Sequence, residues 1–411
     1  MKNVVLAGVS LREDRSAFEM SMKECHELIL ACGMQVVGEV TQQSISMDPH
    51  TAFRSGKLVE LADEVRDSEA DGVVFLNPLR VQTAQRIAET CGVDVIDRTA
   101  LILRIFSIRA RSKQAKLQTE MARLQYDLPR VLYANMEESE HSRGSFRNRG
   151  AGEMRSAVIE RKYAKRIASL RKELEAISVQ KGQDERRRSK TMMKRAAFVG
   201  YTNAGKSSLL NTCVKKFQSA GSFAFEEDML FATLDTSVRK ITYDKMSFFL
   251  YDTVGFVSDL PHELIDAFQS TLDAAVDADL LIHVVDLSDP DWEHKMQVTM
   301  DTLRTIHADE IPLLRVFNKC DLLTEEHHEN GIMTSCVTGQ GIEEMTRKIL
   351  DMLYPIEDEG DFEIPYARLG DYEKYAVVLR TKVLDHTAQG MIVHMAGERQ
   401  YLDIFRHDRR R

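Results

Sequence analysis

The chain has 411 residues, of which 43% are hydrophobic, 29% are charged and 8 are prolines. This length exceeds what one hydrophobic core usually organises, and the composition excludes a disordered or fibrous protein. The formal net charge is -9, yet residues 104–195 hold 24 Lys or Arg against 11 Asp or Glu, an excess of 13 positive charges in an otherwise acidic chain.

Targeting and redox signals are also missing from the sequence. Its apolar runs are too short to cross a membrane, and its first residues predict a strand rather than a signal peptide. The six cysteines form no C-x-x-C pair of the kind that binds zinc or does redox work. We therefore predict a cytoplasmic protein with reduced thiols and no transmembrane segment.

Residues 1–97 alternate between short β-rich runs and helical patterns. The predicted strands cover 4–9, 35–40, 72–76 and 93–96, and the predicted helices cover 18–31, 58–67 and 83–89. Such alternation is typical of a parallel sheet with crossover helices. This part of the chain is predicted to be a small parallel α/β domain.

A basic helical hairpin is predicted over residues 98–190. Apolar residues recur at three- and four-residue steps from Arg98 to Met121, which predicts a long amphipathic helix that ends near Pro129. A basic, turn-rich segment with Arg143, Arg147 and Arg149 follows, and a second helical pattern covers 159–177 before a hydrophilic linker at 181–190. The three arginines are candidate RNA contacts, because basic side chains suit phosphate backbones.

A phosphate-binding loop is predicted at residues 200–207, where the sequence G-Y-T-N-A-G-K-S matches G-x-x-x-x-G-K-[ST] between an apolar strand and a helical pattern. The glycines let backbone N–H groups and the helix N-terminus face phosphate oxygens, with a lysine on the β- and γ-phosphates and a serine on Mg²⁺. The candidate nucleotide contacts in this loop are Asn203, Ala204, Gly205, Lys206, Ser207 and Ser208.

A second motif, D-x-x-G, follows the apolar run at 247–251. Asp252 is expected to hold Mg²⁺ through a water, while the N–H of Gly255 senses the γ-phosphate. Between the two motifs, Thr233 is the candidate threonine that closes on Mg²⁺ and the γ-phosphate. Lys206, Thr233 and Gly255 are thus the candidate catalytic residues, and Ser207, Thr233 and Asp252 are the candidate metal ligands.

Guanine selectivity is predicted from the N-K-x-D motif formed by Asn318, Lys319 and Asp321. A carboxylate at Asp321 accepts from both N1–H and the exocyclic amine of guanine, a pattern that adenine does not offer. Ser335 and Cys336, near an apparent strand end, are candidates for backbone N–H contacts with guanine O6. Together the motifs predict a Mg²⁺-dependent GTPase whose G domain covers 191–355.

The residue after Gly255 is Phe256, where many switch GTPases have a glutamine that orients the attacking water. A phenyl ring has no such group, so we expect a retracted apolar side chain and a catalytic group from elsewhere. Asn203, close to the phosphates, is a candidate for helping to hold K⁺. Residues 356–411 form a predicted small C-terminal domain with strands at 375–384 and 391–395, to which the sequence assigns no chemistry.

With these motifs the sequence resembles the HflX family of ribosome-associated GTPases. The most specific string is D-T-V-G-F-V-S-D-L-P-H at 252–262. Further matching strings lie at 55–61, 97–103, 115–118, 128–130, 149–153, 200–207, 230–235 and 267–272. The resemblance implies an N-terminal α/β domain, a helical hairpin, a G domain and a small C-terminal domain, with the large ribosomal subunit and its rRNA as partners, no DNA partner, and activity in ribosome splitting, rescue or recycling.

Two other interpretations stay open. In the first, the same G domain is a regulatory GTPase that controls protein partners or ribosome assembly without splitting ribosomes, and the charge run is a solvated helix face. In the second, residues 56–57 (Gly-Lys) belong to another nucleotide site in the N-terminal domain, but G-K without the preceding glycine spacing specifies little. The excess of 13 positive charges favours RNA, which predicts a steep dependence of binding on salt.

Overall fold

The computed structural model describes residues 2–11, 15–141, 149–189, 192–217, 237–258, 274–323 and 330–408. The chain divides into two compact units, one that comprises Met1–Val179 and another that holds most of the chain from Gln180 onwards. Within the described residues, no helix combines the length and apolar character that a bilayer crossing requires.

The first unit begins with a four-stranded parallel sheet, as the alternation of elements predicts. Its strands are β1 (Lys2–Leu11), β2 (Met34–Ser44), β3 (Gly72–Phe75) and β4 (Asp94–Asp97), in the order β2-β1-β3-β4. Its helices are α1 (Arg15–Ala31), α2 (Ser55–Asp67) and α3 (Val81–Cys91). Residues 4–9 of β1 and all of β3 are buried and apolar, because helices cover both faces of such a sheet.

The predicted single helix from Arg98 towards Pro129 is wrong in two respects. The structure has two helices, α4 (Arg98–Arg109) and α5 (Lys113–His141). Ala110 is extended between them, with ψ of 109°, and the Ser112 hydroxyl accepts the backbone N–H of Ala115 at 3.0 Å, so it caps a new helix. The apolar spacing continues across this break and therefore conceals it.

Pro129 lies inside α5 instead of ending it. Residues on both sides of Pro129 are held by the same buried carboxylate: Asp97 accepts the Tyr126 hydroxyl at 2.6 Å and the Arg130 guanidinium at 3.2 Å. The Arg130 guanidinium also stacks over the Tyr126 ring at 3.6 Å. These contacts stabilise the helix where the proline removes one backbone hydrogen bond.

Helix α6 (Arg149–Ser189) is the second arm of the hairpin. Arg166 on α6 donates to both carboxylate oxygens of Glu120 on α5, at 2.8 and 2.9 Å, and Leu170 is fully buried. The two paired residues lie at similar distances along the chain from residues 142–148, as expected for antiparallel arms. The predicted linker at 181–190 is wrong, since the helix continues to Ser189.

The second unit contains a six-stranded sheet in the order β10-β9-β8-β5-β7-β6. Its strands are β5 (Arg195–Val199), β6 (Ser237–Tyr243), β7 (Met246–Asp252), β8 (Leu280–Asp286), β9 (Leu313–Asn318) and β10 (Ile332–Met333), and its helices are α7 (Lys206–Phe217), α8 (Trp292–Thr305) and α9 (Ile342–Leu353). Only the β6 pairing is antiparallel within this described sheet. The carboxyl ends of the parallel strands therefore meet at one edge, where all of the predicted nucleotide motifs begin.

The C-terminal residues add an antiparallel sheet with the order β11-β13-β12. Its strands are β11 (Asp358–Pro365), β12 (Arg380–His386) and β13 (Gly390–Gly397), with helices α10 (Leu369–Tyr375) and α11 (Arg399–Leu402). Strand β11 was not predicted, because only Phe362 and Ile364 of its eight residues are buried and apolar.

This sheet shares one hydrophobic core with the larger sheet. Phe362 and Phe405 belong to the same buried cluster as Phe198 and Leu210. At the junction the fully buried Tyr354 donates its hydroxyl to the Ser247 carbonyl and accepts the backbone N–H of Lys194, both at 2.8 Å. Apolar residues of the described range 356–408 therefore contribute to the core of the second unit.

Candidate nucleotide-binding site

The loop between β5 and α7 has the backbone that a phosphate-binding loop requires. Gly200 and Gly205 have φ of 147° and 92°. A Cβ at Gly200 would lie 2.3 Å from the Val284 carbonyl oxygen, and a Cβ at Gly205 would lie 2.2 Å from Asn318 Nδ2. Only glycine fits both positions. Asn203, between them, is exposed and left-handed, with φ of 63°.

Lys206 begins helix α7 and is buried. Its ammonium donates to the carbonyls of Gly200 at 3.0 Å and Tyr201 at 2.7 Å, so the side chain folds back across the loop. Burial lowers the pKa of Lys206 to about 8, while the negative charge of Asp252 acts in the opposite direction. A buried cation held inside this loop suits an anionic ligand such as a phosphate.

The predicted metal ligands Ser207 and Asp252 lie together. The Ser207 hydroxyl donates to Asp252 Oδ2 at 2.6 Å, and Asp252 is fully buried at the end of β7. The hydroxyl and carboxylate oxygens are hard ligands, the class that Mg²⁺ prefers. This oxygen pair, next to the phosphate loop, fits Mg²⁺. Ser208 follows in the first turn of α7 and is half-buried.

The segment after β7 lies against the phosphate loop. A Cβ at Gly255 would lie 2.7 Å from Thr202 Cα and 2.9 Å from Lys206 Nζ. The next residue, Phe256, donates its N–H to Gly200 O at 3.1 Å and accepts the N–H of Thr202 at 2.8 Å. The Phe256 ring is buried, as expected for a retracted apolar side chain.

Asn318 joins the base end of the site to the phosphate loop. Its buried amide donates to the Ala204 carbonyl at 3.0 Å, and its Oδ1 accepts the Thr334 hydroxyl at 3.3 Å. Cys336 Sγ lies 3.6 Å from the same oxygen. The N-K-x-D asparagine thus fixes two loops at once, one from each side of the site.

Asp321 lies in a single 3-10 turn, Cys320–Leu322, that follows Lys319. Asp321 is exposed, so its carboxylate is accessible to a guanine base. The backbone N–H of Ser335 donates to the Gln340 carbonyl at 3.2 Å, and the Ser335 hydroxyl accepts the N–H of Thr338 at 3.1 Å. Ser335 thus stabilises its own loop, and the contact with guanine O6 stays a prediction for Ser335 and Cys336.

Sequence reasoning missed Asp286, at the carboxyl end of β8. Its Oδ2 lies 2.7 Å from the ammonium of Lys319. In the sequence, Asp286 is visible only as an acidic residue at the end of an apolar run. Its contact with Lys319 depends on the strand order, which places β8 between β5 and β9. Thr253 was also missed: its hydroxyl donates to the Phe198 carbonyl at 2.6 Å and holds β7 to β5.

Four predicted residues have no described side chain. Thr233, Arg143 and Arg147 lie outside the described residues. Arg149 begins helix α6, but its side chain is outside the description as well.

Comparison with known proteins gives matches along most of the chain. Three family profiles match, described as GTP-binding GTPase N-terminal (residues 19–107), GTP-binding GTPase Middle Region (109–188) and 50S ribosome-binding GTPase (195–319).

Individual relatives extend this agreement. GTPase HflX of Alkalihalophilus pseudofirmus is 35% identical over 85% of this chain and 82% of the relative. GTPase HflX of Caldanaerobacter subterraneus is 36% identical over 90% of this chain and 84% of the relative. A solved GTP-binding protein from Sulfolobus solfataricus, in complex with GDP, is 23% identical over 86% of this chain and 99% of that chain, with a TM-score of 0.44.

Proposed function

Because the chain belongs to the GTPase HflX family, we propose that its GTP cycle acts on the large ribosomal subunit, in ribosome splitting, rescue or recycling. The chain itself is a GTP-binding, GTP-hydrolysing enzyme, as its relatives are. The observation that carries the ribosomal part is the match of residues 195–319 to the 50S ribosome-binding GTPase profile. The excess of 13 positive charges in residues 104–195 supports RNA as the contact.

In this proposal the phosphate loop holds the nucleotide through backbone N–H groups of residues 203–208 and through the Lys206 ammonium. Ser207 would ligate Mg²⁺, Asp252 would hold it through a water, Thr233 would join them in the GTP state, and the N–H of Gly255 would contact the γ-phosphate. A bound Mg²⁺ would supply charge neutralisation between the β- and γ-phosphates. The close approach of Gly255 to Lys206 Nζ supports a shared role at the γ-phosphate.

Hydrolysis adds a water oxygen to the γ-phosphorus and breaks its bond to the β–γ bridging oxygen, which leaves GDP and phosphate. Phe256 is buried and has no group that orients water. We therefore expect slow intrinsic hydrolysis and a large acceleration by ribosomes. Phe256→Ala should keep much of the basal rate, whereas a loss as large as that of a catalytic glutamine would contradict this role.

Guanine is recognised in this proposal by Asp321, with Asn318 and Lys319 shaping the pocket and Cys336 near O6. The test is Asp321→Asn, which should lose GTP affinity and gain affinity for xanthosine triphosphate, because an amide can donate to its 2-oxo group. Equilibrium titration with both nucleotides measures the exchange. Unchanged GTP binding in the variant would place the base elsewhere.

The ribosomal part needs a separate experiment. We expect the chain to co-sediment with large subunits in a GTP-analogue state, and Arg143→Glu with Arg147→Glu and Arg149→Glu to weaken this binding and flatten its salt dependence. GTP affinity of the free triple variant should equal that of the wild type. Wild-type co-sedimentation at every salt concentration would favour a regulatory GTPase for protein partners or ribosome assembly.

The proposal also includes the location and the division of the chain. The protein would act in the cytoplasm, with an N-terminal domain over 1–97, a basic hairpin over 98–190, a G domain over 191–355 and a C-terminal part over 356–411. The shared core of the last two parts supports treating them as one folding unit.

A further inference from the structure

We propose that Asp286 is a positioning residue for guanine recognition, which acts by fixing Lys319 and, through it, the turn that carries Asp321. This inference rests on the proposed guanine site. Asp286 lies in none of the nucleotide motifs; it ends β8, the strand between β5 and β9.

The Asp286 carboxylate is held in one orientation. Its Oδ1 accepts the backbone N–H of Ser288 at 3.1 Å and the Ser288 hydroxyl at 2.6 Å. This directs Oδ2 to the Lys319 ammonium, 2.7 Å away, and the two side chains are only 17% and 26% exposed. A charge-assisted contact with this little solvent is stronger and more directional than a surface ion pair.

Lys319 has a backbone that requires such support. It is left-handed, with φ of 62° and ψ of 30°, a conformation that disfavours a residue with a Cβ. Backbone contacts hold both neighbours: Leu287 N–H donates to Asn318 O at 3.2 Å, and Cys320 N–H donates to Thr334 O at 3.1 Å. The Asp286 contact fixes the side chain of the residue between them.

The left-handed residue turns the chain from β9 directly into the 3-10 turn Cys320–Leu322, which contains Asp321. The position of the Asp321 carboxylate therefore depends on the geometry at Lys319. Loss of the Asp286 contact should weaken the hydrogen bond between Asp321 and the guanine amine. The ratio of GDP to IDP affinity reports that bond, because hypoxanthine lacks the amine.

The test is Asp286→Asn, which keeps an oxygen for Ser288 and replaces the charge that faces Lys319 with a neutral amide. We expect the GDP dissociation constant to rise about tenfold, as for loss of a partly buried charged contact, and the GDP-to-IDP affinity ratio to fall several-fold. Asp289→Asn is the matched control: this carboxylate lies in the same loop but pairs with Lys295, so the affinity ratio should equal that of the wild type.

A double-mutant cycle with Lys319→Met identifies the route. If Asp286 acts through Lys319, Asp286→Asn should have no further effect on GDP affinity in the Lys319→Met background. A further tenfold loss there would overturn the inference. So would a lower melting temperature with an unchanged GDP-to-IDP ratio, which would mean that Asp286 is only structural.

The outcome of Asp321→Asn separates this inference from the proposed function. If that variant exchanges GTP for xanthosine triphosphate while Asp286→Asn binds GDP and IDP as the wild type does, the guanine site is right and the role of Asp286 is wrong. If Asp321→Asn shows no exchange, the proposed base site itself is wrong.

Discussion

Gly205→Ala is the most direct test of the phosphate loop. The substitution adds one methyl group to a residue with φ of 92°. The new Cβ would lie 2.2 Å from Asn318 Nδ2, so either the loop or the asparagine has to move. Both lie in the proposed nucleotide site, and the Asn318 amide is the group that donates to the Ala204 carbonyl at 3.0 Å.

The expected magnitude follows from these two effects. A residue with a Cβ at strongly positive φ costs about 1–2 kcal/mol, and loss of the partner of a buried carbonyl costs about 1–3 kcal/mol. In the free protein, distortion of the loop relieves both of these energetic costs. Nucleotide binding then has to reverse that distortion, so the costs reduce the affinity. A total of roughly 2–5 kcal/mol corresponds to a loss of GDP affinity on the order of 30-fold to 4,000-fold.

Isothermal titration with GDP measures this loss without interference from hydrolysis, and the melting temperature of the free protein reports whether the fold persists. Gly370→Ala is the control, because a Cβ at that helical position meets no atom within 4 Å. GDP affinity of Gly205→Ala within threefold of the wild type would refute the assignment of this loop to the phosphates.

Three further predictions concern other residues. Burial, with the positive charges of Arg315 and Lys206, lowers the pKa of His283 to about 4. As the pH drops from 6.5 to 4, the unfolded chain therefore binds a proton that the folded chain does not. The free energy of unfolding should fall by about 1.4 kcal/mol per pH unit over this range. His283→Leu should remove that part of the slope in urea unfolding at pH 5 and pH 7, and an unaltered slope would contradict it. Asp97→Ala should destabilise the first unit by about 3–5 kcal/mol, because it leaves Arg130 and several donors without their buried partner. If chemical denaturation shows that the free energy of unfolding falls by less than about 1 kcal/mol, these contacts are dispensable. Replacing Na⁺ by K⁺ should raise the GTPase rate of the wild type but not of Asn203→Ala, since the side-chain amide oxygen of this exposed residue in the phosphate loop can ligate the cation. Equal wild-type rates in both salts would mean that Asn203 has no role in binding a cation.

Much of the nucleotide site was predictable because its chemistry fixes the spacing of its residues. The loop at 200–207 joins a strand to a helix, as its motif requires, and Ser207 meets Asp252 although they are far apart in sequence. Strands β1, β3 and β7 are equally visible, since most of their buried residues are apolar.

The remaining features depend on contacts that no local pattern contains. The helix continues through Pro129 because Asp97, about 30 residues earlier, binds side chains on both sides of the proline. The partner of Asp286 follows from strand order, which local periodicity does not specify. The use of the Ser335 N–H by Gln340 is likewise a property of the folded loop.

The shared core of the second unit has a consequence for synthesis of the protein. All of the nucleotide motifs leave the translating ribosome before Phe362 and Phe405, which pack into the same cluster as Phe198 and Leu210. A nascent chain that already contains all of the predicted nucleotide motifs therefore still exposes apolar surface that Phe362 and Phe405 will cover. Stable nucleotide binding should consequently begin only after Phe405 has been synthesised and has left the ribosome, and truncation shortly after Tyr354 should yield chains that chaperones retain or proteases degrade.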